Sequence, residues 1–388
     1  MGGASEHDEA MKWFLQQANG GDILVLRASG SDGYNDYLYS DLGVTVNSVE
    51  TIVFNNSNAS NSAYVQDKVA KAEAIWMAGG NQWNYVSYWR NTPIDSLINI
   101  GLTERNIVIG GTSAGMAVQG GLYFSAENGT VTSAAALANP YNIDMTVDST
   151  DFLHNDYLQD VITDTHYDDP DRKGRHVAFL ARAVVDYGVS AKGIACDEYT
   201  AVCIDQAGLA TVYGEYPEYD ETIYFLQVNC EVADNVPETC VSGSSLTWNH
   251  AGQAVKVYVV KGTEFGANTF SLADWETGSG GVWENWSVNN GVLSEVAGDP
   301  INCSSLGIKD QSDSQISLTQ NAQQLRIELN TQKQIRLVQM MDATGRVVVS
   351  DVTSSSTSLI DLNGIPKGIY VILIETGTQR FSKKWMRQ

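Results

Sequence analysis

The sequence has no run of 18 apolar residues, so it offers no membrane-spanning helix. Nor does it open on an apolar signal segment. Met1-Gly2-Gly3 reads as a cropped start, from which nothing follows about export of the natural product. Basic residues are scarce, 23 Lys and Arg against 46 Asp and Glu, and a net charge of −23 argues against nucleic acid or an anionic membrane as main partner. No C-x-x-C pair and no paired-histidine zinc spacing occurs, so neither a bound metal nor a cofactor is expected. The five cysteines speak only through spacing. Cys230 and Cys240 bracket a polar loop containing Pro237 and read as a disulfide formed in an oxidising compartment; Cys196 and Cys203 read as a second pair, leaving Cys303 over.

What is present is a globular composition, 43% hydrophobic and 18% charged, on 388 residues, enough for two or three domains. Glu9–Ala18 has helical periodicity, and Asp22–Arg27 (DILVLR) follows as a strand. Val49–Phe54, Ala74–Ala78 and Ile107–Ile109 read as further strands, with helices over Asn61–Lys71 and Asp95–Leu102 between them. Such alternation with short links predicts an α/β fold with a doubly wound, mostly parallel sheet, which binds ligands beyond the carboxyl ends of its strands. Val177–Asp186 reads as another helix, and Gly193–Cys196 and Thr200–Asp205 as two strands around Asp197-Glu198-Tyr199. Beyond Leu209 the pattern is strands only, so a β extension is expected, and after the polar stretch Ser304–Ser314 a small C-terminal β-sandwich.

The most telling stretch is Asn106–Gly121, NIVIGGTSAGMAVQGG. Gly111-Thr112-Ser113-Ala114-Gly115 fits the G-x-S-x-G nucleophile elbow, with a strand before it and a helix over Ala114–Gln119 after it. A sharp strand-to-helix turn lifts the Ser113 hydroxyl clear of the sheet, and flanking glycines are needed because a Cβ there would strike its neighbours. The Ala114 amide at the new helix N-terminus then faces an anion forming at Ser113. A serine needs a base, and the base an orienting acid. The chain offers His7, His154, His166, His176 and His250. His166, at the end of a short strand in Val161–Tyr167, is best placed; His176 opens a helix and reads as a cap or packing residue. Glu198, between two strands, is a candidate acid. The order Ser, His, Glu departs from the Ser, acid, His order of α/β-hydrolases.

GGTSAGM, the Gly79-Gly80-Asn81-Gln82 turn, DTHY with Arg172 and Arg175 downstream, and GIACDEYTAV together resemble the cyanophycinase-like serine peptidases. These are relatives of aspartyl dipeptidase with the class I glutamine-amidotransferase-like fold. The resemblance runs over about residues 10–230 and implies Ser113 as nucleophile, His166 as base and Glu198 as the acid orienting it. It also implies an oxyanion hole from the amides of Gly80 and Ala114, and substrate contacts from Gln82, Asp164, Arg172 and Arg175. Thr165 stands where the family carries Gln, and Pro170 where it carries an arginine, among Asp168, Asp169 and Asp171. Those departures touch recognition of a β-aspartyl-arginine unit and leave the triad intact. The acidic cluster itself reads as a solvated loop.

MMDATGRVV and LIDLNGIPKGIYVILIETGTQRFSKKWMRQ resemble the type IX secretion sorting domain of Bacteroidetes. That implies export to the surface or medium and the secretion machinery as a partner. The expected organisation is a peptidase domain over 1–245, a β-rich extension over 246–303, a linker over 304–314 and the sorting domain over 315–388. The leading functional expectation is a secreted serine exopeptidase acting on short aspartyl or isoaspartyl peptides. Against it stand another amide hydrolase or an inactive binding protein of the same fold, and an adhesin using the Trp-rich stretch Trp275–Trp286.

Overall fold

The computed structural model describes residues 1–149 and 152–303, and within 316–387 all but 321–322, 330–333, 343–345, 354 and 377–379. The expected linker, 304–314, lies outside the described residues. The chain divides into two compact units, Met1–Asn302 and Cys303–Gln388.

In the first unit, β1 (Asp22–Arg27), β2 (Ser48–Val53), β3 (Ala74–Met77) and β4 (Val108–Gly111) form a four-stranded sheet of order β2-β1-β3-β4, parallel throughout. Side chains alternate across a strand, and here both faces are covered. Leu24, Leu26, Ile75 and Met77 pack against residues of the helices Ala63–Lys71, Gln82–Trp89 and Pro93–Glu104. Ile23, Val25, Ala74 and Trp76 pack on the opposite face against Met11, Phe14 and Leu15 of the helix Asp8–Gln17. The α/β expectation with parallel strands holds for this sheet.

A second sheet contains β5 (Leu122–Phe124), β6 (Val147–Ser149), β7 (Val161–Asp164), β8 (Lys192–Cys196), β11 (Thr222–Val228), β12 (Val255–Lys261), β15 (Gly281–Asn289) and β16 (Val292–Ala297), in the order β16-β15-β12-β11-β8-β7-β5-β6. Only β5, β7 and β8 run parallel in it; the remaining pairings are antiparallel. The strands of residues 246–303 that join this sheet thus continue it. β9 (Ala201–Ile204), β10 (Leu209–Tyr216), β13 (Asn268–Ser271) and β14 (Gly278–Ser279) form a third, antiparallel sheet. Trp275, Trp283 and Trp286 are buried, so the Trp-rich stretch is packing and presents no aromatic platform.

The second unit has two antiparallel sheets, one of β17 (Ile316–Gln320), β18 (Gln324–Leu329) and β21 (Thr357–Asp361), the other of β19 (Ile335–Met341), β20 (Val347–Val352), β22 (Gly368–Thr376) and β23 (Arg380–Arg387). Leu325, Ile327 and Ile360 of the first sheet share one apolar core with Val338, Met340, Ile372 and Ile374 of the second.

The cysteine expectations are corrected. Cys230 and Cys303 are disulfide-bonded, whereas Cys240, Cys196 and Cys203 are free buried thiols. Burial pushes the Cys196, Cys203 and Cys240 thiols up to about 11, 12 and 11, which keeps them protonated and poorly nucleophilic.

Candidate active site

β4, β7 and β8 end at Gly111, Asp164 and Cys196, and the candidate residues Ser113, His166 and Glu198 each follow two positions later. All three therefore emerge at carboxyl ends of parallel strands, although β4 belongs to one sheet and β7 and β8 to the other.

Ser113 sits between β4 and the short helix Ala114–Ala117 at φ 51°, ψ −117°, a conformation that a residue with a Cβ adopts only under constraint. Its carbonyl accepts from the amides of Met116 and Ala117 at 3.0 and 2.9 Å, which turns the chain straight into the helix. The glycines on either side are required by space. A Cβ at Gly111 would lie 2.6 Å from the Gly115 backbone, and one at Gly115 would lie 2.0 Å from the Met77 carbonyl oxygen.

Ser113 Oγ is 2.8 Å from His166 Nε2, and His166 Nδ1 is 2.5 Å from Glu198 Oε1. Against an ionised Glu198, which only accepts, Nδ1 carries the proton and Nε2 is left to accept from the serine hydroxyl. His166 also has positive φ, 47°. The Glu198 amide donates to Asp168 Oδ1 at 3.1 Å, so one of the three aspartates read as solvated in fact holds the loop of the candidate acid. Nothing in the sequence marks Asp168 out from Asp169 and Asp171 for that task.

Gly80, at φ +151°, lies in the turn between β3 and the helix Gln82–Trp89. The Tyr85 hydroxyl donates to the carbonyls of Ala78 and Gly79 at 2.7 and 3.2 Å and holds that turn beside the serine; a Cβ at Gly79 would sit 3.6 Å from Ser113 Cβ. Among the described residues, the amides of Gly80 and Ala114 have no hydrogen-bond partner. Tyr85 was not foreseen, since its helix was not read from the sequence.

Two of the expected substrate contacts, Asp164 and Arg175, are paired with each other. Arg175 donates from Nε and Nη2 to the two carboxylate oxygens of Asp164, at 2.8 and 2.5 Å, and both side chains are buried. The opposite charges that were expected to grip a substrate grip each other. Gln82 is half-buried and donates to the Phe124 carbonyl at 2.9 Å. Arg172 donates from Nη1 to the Thr165 carbonyl at 2.8 Å, and its Nε is buried without a hydrogen-bond partner.

The other histidines lie elsewhere. His176 is wholly buried against Tyr167, and burial lowers it to about 4, so it is a neutral core residue. His7 is buried beside Tyr213, and His250 donates from Nε2 to the Val236 carbonyl. Asp197, next to the candidate acid, is buried with one oxygen unpartnered; burial and the nearby Asp168 push it up to about 7 despite the Thr222 amide it accepts.

Residues 27–211 match the family described as Peptidase family S51, and residues 321–388 match the Secretion system C-terminal sorting domain. Among solved structures, a peptidase from an acI-B1 Actinobacterium is similar at 15% identity over 56% of this chain and 87% of its own, with a TM-score of 0.38. PorZ, a surface component of the type-IX secretion system of Porphyromonas gingivalis, is similar at 8% identity over 48% of this chain and 29% of its own, with a TM-score of 0.17. No curated protein matches the chain.

Proposed function

With residues 27–211 a peptidase family S51 domain and residues 321–388 a type IX secretion sorting domain, we propose that this secreted or cell-surface protein is a serine exopeptidase cleaving short aspartyl or isoaspartyl peptides through a Ser113 acyl-enzyme. Among the described residues no helix is long and apolar enough to cross a membrane.

The observation that carries the reading is the unbroken chain from Ser113 Oγ to His166 Nε2 at 2.8 Å and from His166 Nδ1 to Glu198 Oε1 at 2.5 Å. Ser113 Oγ attacks the scissile carbonyl carbon while His166 Nε2 takes the hydroxyl proton, and Glu198 stabilises the imidazolium that results. The carbonyl oxygen becomes an oxyanion, which the amides of Gly80 and Ala114 take up. Collapse of the tetrahedral adduct expels the amine, protonated by His166, and leaves the Ser113 ester. Water, deprotonated by His166, then releases the acid and restores the serine.

Recognition of the acidic residue falls to Arg172. With Asp164 and Arg175 satisfied by each other, its half-buried guanidinium keeps a donor without a partner. An arginine binds a carboxylate with two parallel bonds, which fits an aspartyl side chain or α-carboxylate. Pro170 supplies no second cation, so the β-aspartyl-arginine polymer cyanophycin should be cleaved weakly or not at all. The deciding experiment pairs labelling by an alkyl fluorophosphonate, with Ser113→Ala as control, with amine release from α- and β-aspartyl dipeptides and their alanyl counterparts. No labelling, or no preference for aspartyl over alanyl peptides, refutes the corresponding half of the proposal.

A further inference from the structure

The carbonyls of the first three residues each accept one backbone amide, from the loops that carry Ser113, His166 and Glu198 in turn. The Met1 carbonyl accepts from the Ser113 amide at 3.1 Å, the Gly2 carbonyl from the His166 amide at 2.8 Å, and the Gly3 carbonyl from the amide of Tyr199, the residue after Glu198, at 3.1 Å. The Gly2 amide donates in turn to the Thr200 carbonyl at 3.0 Å, and the Met1 amine to the Gly111 carbonyl at 2.8 Å. Each of the three receiving residues stands at positive φ: Ser113 at 51°, His166 at 47° and Tyr199 at 62°. Side-chain-bearing residues stay in that region only where surrounding bonds hold them.

Space requires glycine at both positions. A Cβ at Gly2 would lie 1.9 Å from the Asp197 carbonyl oxygen. One at Gly3, whose φ is +121°, would lie 2.3 Å from Cε1 and 2.4 Å from Nε2 of the His166 ring. Among the described residues no strand pairing aligns the serine with its base, because β4 lies in one sheet and β7 and β8 in the other. The tripeptide crosses that division with bonds to both sides, alongside the Thr163 hydroxyl, which donates to the Met116 carbonyl at 2.7 Å.

We propose that Met1–Gly3 is a positioning strap that holds the serine, histidine and glutamate loops in catalytic register, with Gly3 setting the face on which the His166 ring lies. The proposal rests on the triad reading above. The strap touches backbone amides and the edge of the imidazole, so it acts through Ser113, His166 and Glu198 and has no chemistry of its own.

The test uses the full chain and the rate at which an alkyl fluorophosphonate labels Ser113, measured against pH. Gly3→Ala should label at least tenfold more slowly, with the acid limb of its pH profile displaced; on any dipeptide that is turned over it should lower kcat and leave KM nearly unchanged. Gly43→Ala is the control: it too adds a Cβ at a positive-φ glycine, at φ +70°, but with nothing within 4 Å of it, and should label like the parent. If Gly3→Ala does not fold, a chain lacking residues 1–3 gives the same reading, slow labelling restored by millimolar Met-Gly-Gly peptide. Parental labelling by Gly3→Ala with an unchanged pH profile, or faster labelling after deletion, overturns the strap while the triad stands. Labelling of Ser113→Ala at the parental rate overturns the triad instead.

Discussion

Arg175 and Asp164 close on each other through two parallel bonds beside the stacked rings of Phe124 and Phe179, whose centroids lie 5.3 and 5.8 Å from the guanidinium carbon. Burial raises the Asp164 carboxyl and the Arg175 guanidinium more than offsets this, so it titrates below its ordinary 3.8. A carboxyl lowered in the folded state adds stability at neutral pH that is lost as pH falls below about 4. Breaking one partner of a buried pair costs about 3–5 kcal/mol. Asp164→Ala should therefore lower Tm sharply at pH 7, and the gap to the parent should narrow below pH 4. A parental Tm with a raised KM for acidic peptides would return Asp164 to the substrate pocket.

Ser113→Ala and His166→Ala should each remove at least roughly two to three orders of magnitude in kcat with the fold intact by circular dichroism. Glu198→Gln should cost less than His166→Ala, because the acid orients and stabilises and moves no proton. Equal losses in kcat for those two would mean that Glu198 does more than orient.

Asp197 behaves in the opposite sense to Asp164. Its carboxyl is pushed up to about 7, so in the folded state it favours the protonated form. Its contribution to stability is full below about 4 and is lost as pH rises through 7. Asp197→Asn, which keeps an acceptor for the Thr222 amide, should gain in Tm relative to the parent between pH 4 and pH 8. Thermal melts across that range check it, and a constant difference would mean the carboxyl is not buried as described.

Thiol counting on denatured, unreduced protein should find three reactive cysteines, Cys196, Cys203 and Cys240. After reduction it should find all five. A count of one before reduction would bring back the Cys230–Cys240 and Cys196–Cys203 pairs.

A chain ending after Cys303 should keep its labelling by fluorophosphonate and lose delivery to the cell surface, because the first compact unit ends at Asn302 and the sorting domain follows it. Loss of labelling on truncation would show that the peptidase unit depends on what comes after it.

Sequence alone determined what depends on neighbours along the chain. The apolar run within Asp22–Arg27 is a strand over those same residues, because alternating side chains with period two need only a buried face on each side. The Ser113 turn was legible because its glycines are demanded by atoms close in sequence or in the adjacent strand. His166 and Glu198 were found through their places at strand ends and the family resemblance. The helix Gln82–Trp89 was missed because most of its eight residues, QWNYVSYW, are aromatic or β-branched types that favour strands.

Only the tertiary structure decided which charges meet. Asp164 and Arg175 are separated by a turn in sequence and read as two free ligands, yet packing of the helix Lys173–Arg182 on β7 sets them face to face in a dry site, where neither is stable unpaired. The antiparallel continuation of the second sheet is likewise a matter of strand partners, which periodicity does not name. Met1-Gly2-Gly3 looked like a bare chain start. Its meaning arises only once two separate sheets bring Ser113, His166 and Glu198 together, leaving three backbone amides that need three carbonyls in a space too narrow for a side chain at Gly2 or Gly3.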